Sequence, residues 1–136
     1  MRVKEFLREL CGFNLPDDPE IWVAHYCREK LYPVAFFPVG DFGVNASGQL
    51  VLARDWSMTK IAYTLSELKN FLTHVSPELL MYVADDCAGV KDYSDSLELV
   101  DLNLFDSKFV LTVASRAEAN EKFIFERNEA VKKYNL

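Results

Sequence analysis

The feature that most constrains this chain is a pattern that occurs twice. "VKEFLREL" sets Val3, Phe6, Leu7 and Leu10 at helical spacing with charges between them, and "TLSELKNFL" does the same with Leu65, Leu68 and Leu72. Each stretch predicts an amphipathic helix, the second opened by Thr64 and Glu67 in capping-box relation. A Pro-Glu pair follows each helix, Pro19-Glu20 and Pro77-Glu78, and then an apolar β-forming run, "IWVAHY" and "LLMYVA". Two more β-rich runs come next in both cases: "YPVAFFPV" and "QLVLA", then "SLELVDLNL" and "KFVLTVA". The order helix, strand, strand, strand predicts an internal duplication, with repeat 1 over about residues 1–57 and repeat 2 over about 58–114.

Six strands joined mostly by hairpin-length connections predict an α+β fold, a mostly antiparallel sheet with the helices on one face. No Gly/Pro/Ser-rich linker separates the copies, so residues 1–136 read as a single domain, and 50% hydrophobic residues suffice for one continuous core. "GVNASGQ" predicts a hairpin turn. The broken alternation around Glu98 to Asp101 predicts a bulge, and Pro33 and Pro38 assign "YPVAFFPV" to a sheet edge or a broken strand. Thr59, Ile61 and Tyr63 alternate as in a short extra strand, and Trp22 is expected to face the core. "SRAE" caps a terminal helix over about 115–136, whose Ala117, Phe123, Ile124, Ala130, Val131 and Tyr134 fall on one side. That helix either closes the bundle or makes a dimer contact.

A net charge of −6 works against direct nucleic-acid binding, which depends on Lys and Arg at the phosphates. Residues 64–114 alone carry net −6, so the acidity belongs to the second repeat. The longest apolar run, Val34 to Val39, is six residues, far short of the roughly 20 that span a bilayer. Charges at Glu5, Arg8 and Glu9 interrupt any apolar leader centre, and the expectation is a cytoplasmic protein with no membrane contact. Cys11, Cys27 and Cys87 have neither even number nor CxxC spacing, so free thiols are expected. His25 and Cys27 would share a strand face, and a small enzyme using that pair is one alternative. A metal-dependent enzyme holding its ion on carboxylates is another. Asp41-Phe42-Gly43 spells a kinase metal-binding triplet but, without the accompanying loops, reads as a turn. No cofactor is expected.

The opening "VKEFLREL" with "LPDDPEIWV" resembles small accessory proteins of phages and other mobile elements, in which a Val-Lys-Glu-Leu-type helix leads through a Pro-Asp turn to a Glu-hydrophobic strand. Val3 to Val23 match well and Leu65 to Val83 loosely. The resemblance implies a compact α/β unit with no assigned activity, often encoded beside genes that counter or modulate host functions, and it supplies no catalytic residues to carry over.

Two features point to a partner surface. Asp85, Asp86, Asp92 and Asp95 crowd one stretch around Tyr93, which reads as an acidic docking loop with an aromatic anchor for a basic protein partner. Trp56, between Arg54, Asp55 and Ser57, is the second anchor. The leading expectation is a non-enzymatic binding protein, an inhibitor or modulator of a host defence or nucleic-acid-processing complex, present as monomer or homodimer. A structural subunit assembling through the terminal helix is the other alternative.

Overall fold

The computed structural model describes the chain apart from residue 16 and residues 26–33, 59–60, 85–95 and 135–136. Among the described residues there are three helices and six strands: α1 (Val3–Leu10), β1 (Ile21–His25), β2 (Val34–Val44), β3 (Leu50–Arg54), α2 (Leu65–Leu72), β4 (Met81–Ala84), β5 (Ser96–Phe105), β6 (Lys108–Ala114) and α3 (Arg116–Tyr134). The α+β class and the helix-strand-strand-strand order are both present.

The sheet closes on itself in the order β1-β2-β3-β4-β5-β6. Within each half the pairings are antiparallel, and the halves join through parallel pairs, Leu50 beside Met81 and Ile21 beside Phe109. A parallel pair needs a long crossover, which α2 supplies between β3 and β4. Closure removes the sheet edge expected at the prolines. Pro38 instead lies buried inside the eleven-residue β2, opposite Trp22, and its carbonyl accepts the Asp55 N–H at 2.8 Å. Pro33 lies outside the described residues.

Correspondence between the halves extends to single hydrogen bonds. The Val3 N–H donates to Leu79 O and the Leu65 N–H to Pro19 O, both at 2.9 Å. Met81 N–H donates to Met1 O and Ile21 N–H to Tyr63 O, again at 2.9 Å. Each helix thus has a first-turn donor satisfied by the chain leading into the other half's first strand, so neither half is capped without its counterpart. These bonds align Pro19-Glu20 with Leu79-Leu80, which the isolated bridges Arg2–Leu80 and Glu20–Thr64 repeat. The two Pro-Glu pairs of the sequence are therefore not structural equivalents.

One core holds the halves together. Val3, Phe6 and Leu10 of α1 and Leu65, Leu68 and Leu72 of α2 pack with Ile21, Val23, Leu50, Leu52, Met81, Val83, Phe109 and Leu111. Phe6 and Phe109 meet edge to face with centroids 6.4 Å apart. Trp22 points to the other side of its strand from Ile21 and Val23. It is half-buried, donating from Nε1 to Glu20 Oε1 at 3.2 Å, with Lys108 Nζ 5.3 Å from its ring.

The expected bulge falls between Leu99 and Asp101, and an unforeseen counterpart falls between Val39 and Asp41. In both, the Asp carboxylate accepts the next N–H at 2.9 Å, from Phe42 and from Leu102. Asp41-Phe42-Gly43 is therefore strand rather than turn, and the Phe42 ring meets Tyr63 edge to face and Phe71 at a tilt, with centroids 4.7 and 5.1 Å away. The turn at Asn45 to Gly48 forms as expected, with Gly48 at φ +78° and the Asn45 N–H donating to Gln49 O. Of the expected extra strand, Thr59 lies outside the described residues, Ile61 and Tyr63 form no strand, and Ile61 is 93% exposed. No described helix is long and apolar enough to cross a membrane.

Candidate functional site

The pairings fix which segments meet. β1, β3, β4 and β6 run in one direction and β2 and β5 in the other. The far ends of β1, β3, β4 and β6, at His25, Arg54, Ala84 and Ala114, therefore share one end of the barrel with the starts of β2 and β5. The chain leaves β4 at Ala84 and joins β5 at Ser96 there, and Trp56 follows β3 at the same end. Asp85, Asp86, Asp92, Tyr93 and Asp95 themselves lie outside the described residues.

Trp56 is built into its place. Its ring lies against Phe37 of β2, centroids 4.5 Å apart, and the Arg54 guanidinium sits 4.2 Å from its centroid. Beside it the buried Asp55 closes an Asx turn, its Oδ1 accepting the Ser57 N–H at 3.2 Å and the Ser57 hydroxyl at 2.7 Å. The Met58 N–H donates back to Asp55 O at 3.2 Å, which brings Met58 to φ 54°, a left-handed conformation that costs a bulky residue about 1–2 kcal/mol. The turn leaves Trp56 38% and Met58 52% exposed. These exposed apolar side chains are thus carried on a hydrogen-bonded turn, an arrangement that would lose less entropy on association than an unstructured one.

Gly40 makes the close approach possible. A Cβ there would stand 2.9 Å from the Asp55 Cβ, so the β2 bulge and the buried Asp55 require glycine. Sequence reading found Trp56 but missed Phe37, Gly40 and the burial of Arg54 and Asp55. The available sign was a charged pair completing the apolar run of β3 directly before a tryptophan.

The remaining candidates that are described stand apart from one another. His25 ends β1 and is half-buried, while Cys27 and Cys87 lie outside the described residues. Cys11 is an exposed free thiol whose Sγ approaches Leu7 O at 3.6 Å. Among the described residues no three His, Cys, Asp or Glu side chains could hold one metal ion. Clefts of about 250 and 380 Å³ flank Leu15 and Pro19. Asp18, lining the larger, accepts the Ser66 N–H at 2.8 Å and its hydroxyl, and so caps α2. Burial opposes ionisation of Asp18, but the hydrogen bonds from Ser66 and Thr64 outweigh it and hold the carboxyl below its ordinary value.

Comparison of the chain with models of protein families, with curated proteins and with solved structures finds no match.

Proposed function

We propose that this chain is a non-enzymatic, cytoplasmic binding protein that docks a basic protein partner on the barrel end carrying Trp56. The observation that supports the reading best is that Trp56 contacts both Phe37 and Arg54 while the residue stays 38% exposed. Pre-ordered tryptophan and arginine in contact are the composition of an interface hot spot. The acidic character of residues 64–114, with segment 85–95 joined to this barrel end, gives the surface the charge that steers a basic partner. A mobile-element origin, and the blocking of a host defence or nucleic-acid-processing complex, extend the reading along the resemblance of residues 3–23.

Full-length protein immobilised on beads, with nuclease-treated extract as the source, provides the captured partner. Trp56→Ala should weaken that partner by at least about 30-fold, the equivalent of a hot spot of about 2 kcal/mol. Replacing Asp85, Asp86, Asp92 and Asp95 with Asn should slow association and flatten its salt dependence. Binding that survives both changes at low salt places the site elsewhere.

A further inference from the structure

We propose that Asp101 and Asn103 guard an uncovered stretch of β5, and that what they keep off is a second copy of this chain. Closure of the barrel does not cover the whole of β5. That strand has ten residues and β4 has four, and the two pair only from Ser96 to Glu98. Beyond that point β4 has another neighbour, the Met81 N–H donating to Met1 O at 2.9 Å. Among the described residues no strand pairs with Leu102 to Leu104 on the β4 side. On the other side lies β6, and the alternation of an antiparallel ladder decides which way the backbone of β5 points. The Phe109 N–H donates to Glu20 O at 2.9 Å, so Phe109 turns its backbone groups toward β1 rather than β5. Leu104, opposite Phe109, therefore presents its N–H and C=O away from β6, and so does Leu102 two residues earlier.

Donors and acceptors at an uncovered strand position are a template for another strand. Here both donors are taken by the side chain directly before them. Asp101 Oδ1 accepts the Leu102 N–H and Asn103 Oδ1 accepts the Leu104 N–H, each at 2.9 Å. Asp and Asn compete with a ladder in this way because their short side chains bring an acceptor to the neighbouring backbone. The bulge after Leu99 does not account for the arrangement, since Asn103 stands in regular register with Val110. A second copy fits the stretch by symmetry. With a two-fold axis at Asn103, an antiparallel copy sets Leu102 of each chain opposite Leu104 of the other, and every freed N–H reaches a carbonyl across the pair. Asp101 and residues 103–107 are all exposed, which gives a second chain access. The two side-chain hydrogen bonds therefore stand between this chain and pairing with itself.

Sedimentation of the full chain over a wide concentration range, beside hydrogen exchange of the Leu102 and Leu104 amides, tests this. Asp101→Val with Asn103→Val removes both acceptors and keeps strand-forming residues. Its mass should rise with concentration toward twice that of wild type, and both amides should gain protection as it does. Adding Leu104→Pro, which removes a donor that faces no strand of its own barrel, should return the mass to the wild-type curve. Asp101→Ala with Asn103→Ala changes the surface less and should give the same gain in protection, which keeps the test open if the valine pair does not fold. Three results would overturn the proposal: a folded variant of either pair whose mass follows wild type and whose two amides exchange freely at every concentration, association that Leu104→Pro leaves intact, or Leu102 and Leu104 amides that gain protection with concentration in wild type.

Discussion

The two halves build the same half-barrel from different residues. Val3, Phe6 and Leu10 are matched by Leu65, Leu68 and Leu72, Ile21 and Val23 by Met81 and Val83, and Leu50 and Leu52 by Phe109 and Leu111. Both bulges are followed by an aspartate. The halves part company at one barrel end. Continuing the same alignment, Arg54 and Asp55 stand where the second half has Val113 and Ala114, and Gly40 stands opposite Val100. Val113 and Ala114 complete a strand of the same barrel with purely apolar side chains, so the barrel itself does not call for a buried Arg-Asp pair. Burying charge costs several kcal/mol unless it is well paired, and a sequence free to use valine there uses arginine. The difference between the halves is therefore concentrated at the Trp56 end, where the proposed docking surface lies.

The largest effects should show that the halves cannot be taken apart. Phe6→Ala should cost about 3–5 kcal/mol and Leu68→Ala about 2–5 kcal/mol, since both side chains are fully buried in one core. Each should shift a single urea transition, followed by both tryptophan fluorescence and circular dichroism. Separate transitions for the two probes would mean the halves fold independently, against the shared core and the exchanged caps.

At the bulges the comparison becomes asymmetric. Gly40→Val should destabilise by about 1–3 kcal/mol, because the added atoms meet the Asp55 Cβ and backbone of a packed turn. The reverse change, Val100→Gly, should cost no more than about 1 kcal/mol, chiefly backbone entropy at a half-buried position. Equal costs in a chemical melt would mean the Trp56 turn is not packed as tightly as Gly40 implies.

Periodicity made the helices, most strand order and the second bulge legible, because each depends on a local pattern of apolar side chains. Closure of the sheet was not legible. It depends on parallel pairing between β1 and β6, whose partners lie some ninety positions apart in the chain. The alignment of Pro19-Glu20 with Pro77-Glu78 misled for a related reason: the structural match is set by hydrogen bonds to the opposite half, which no local motif reports. At the site, Trp56 stood out by its polar neighbours. Phe37 and Gly40 did not, since a stacking partner on another strand and a close Cβ approach exist only after folding.

The α2 cap should be worth less than a core contact. Thr64→Ala removes the side-chain acceptor of the Glu67 N–H and should cost about 1 kcal/mol in thermal or chemical denaturation. Asp18 adds a pH dependence whose sign follows from its lowered pKa. In the unfolded chain the carboxyl titrates near about 3.9, and in the folded protein below that. Its contribution is thus complete above the unfolded value and disappears as pH falls through the folded one. Asp18→Asn should flatten the acid limb of the stability curve, and an unchanged limb would remove Asp18 from the cap.

Smallest of all should be the equivalent contact at α1. Lys4 occupies the place of Ser66 and Glu78 that of Asp18, with Lys4 Nζ 2.9 Å from Glu78 Oε1. The hydrogen bond from Lys4, and then its charge, keep the Glu78 carboxyl below its ordinary value, so this contact too is present above the unfolded pKa and lost as pH falls. Both side chains, however, are more than half exposed. Water and salt screen such a pair, with a Debye length of about 8 Å at physiological ionic strength, and holding two long side chains in one geometry costs entropy. Lys4→Met should therefore shift the melt less than Asp18→Asn at low salt and produce no shift at high salt. A Lys4→Met effect that equals the Asp18→Asn effect and persists in salt would mean that the α1 cap depends on this pair as much as the α2 cap depends on Asp18. The asymmetry between the two helix starts would then vanish.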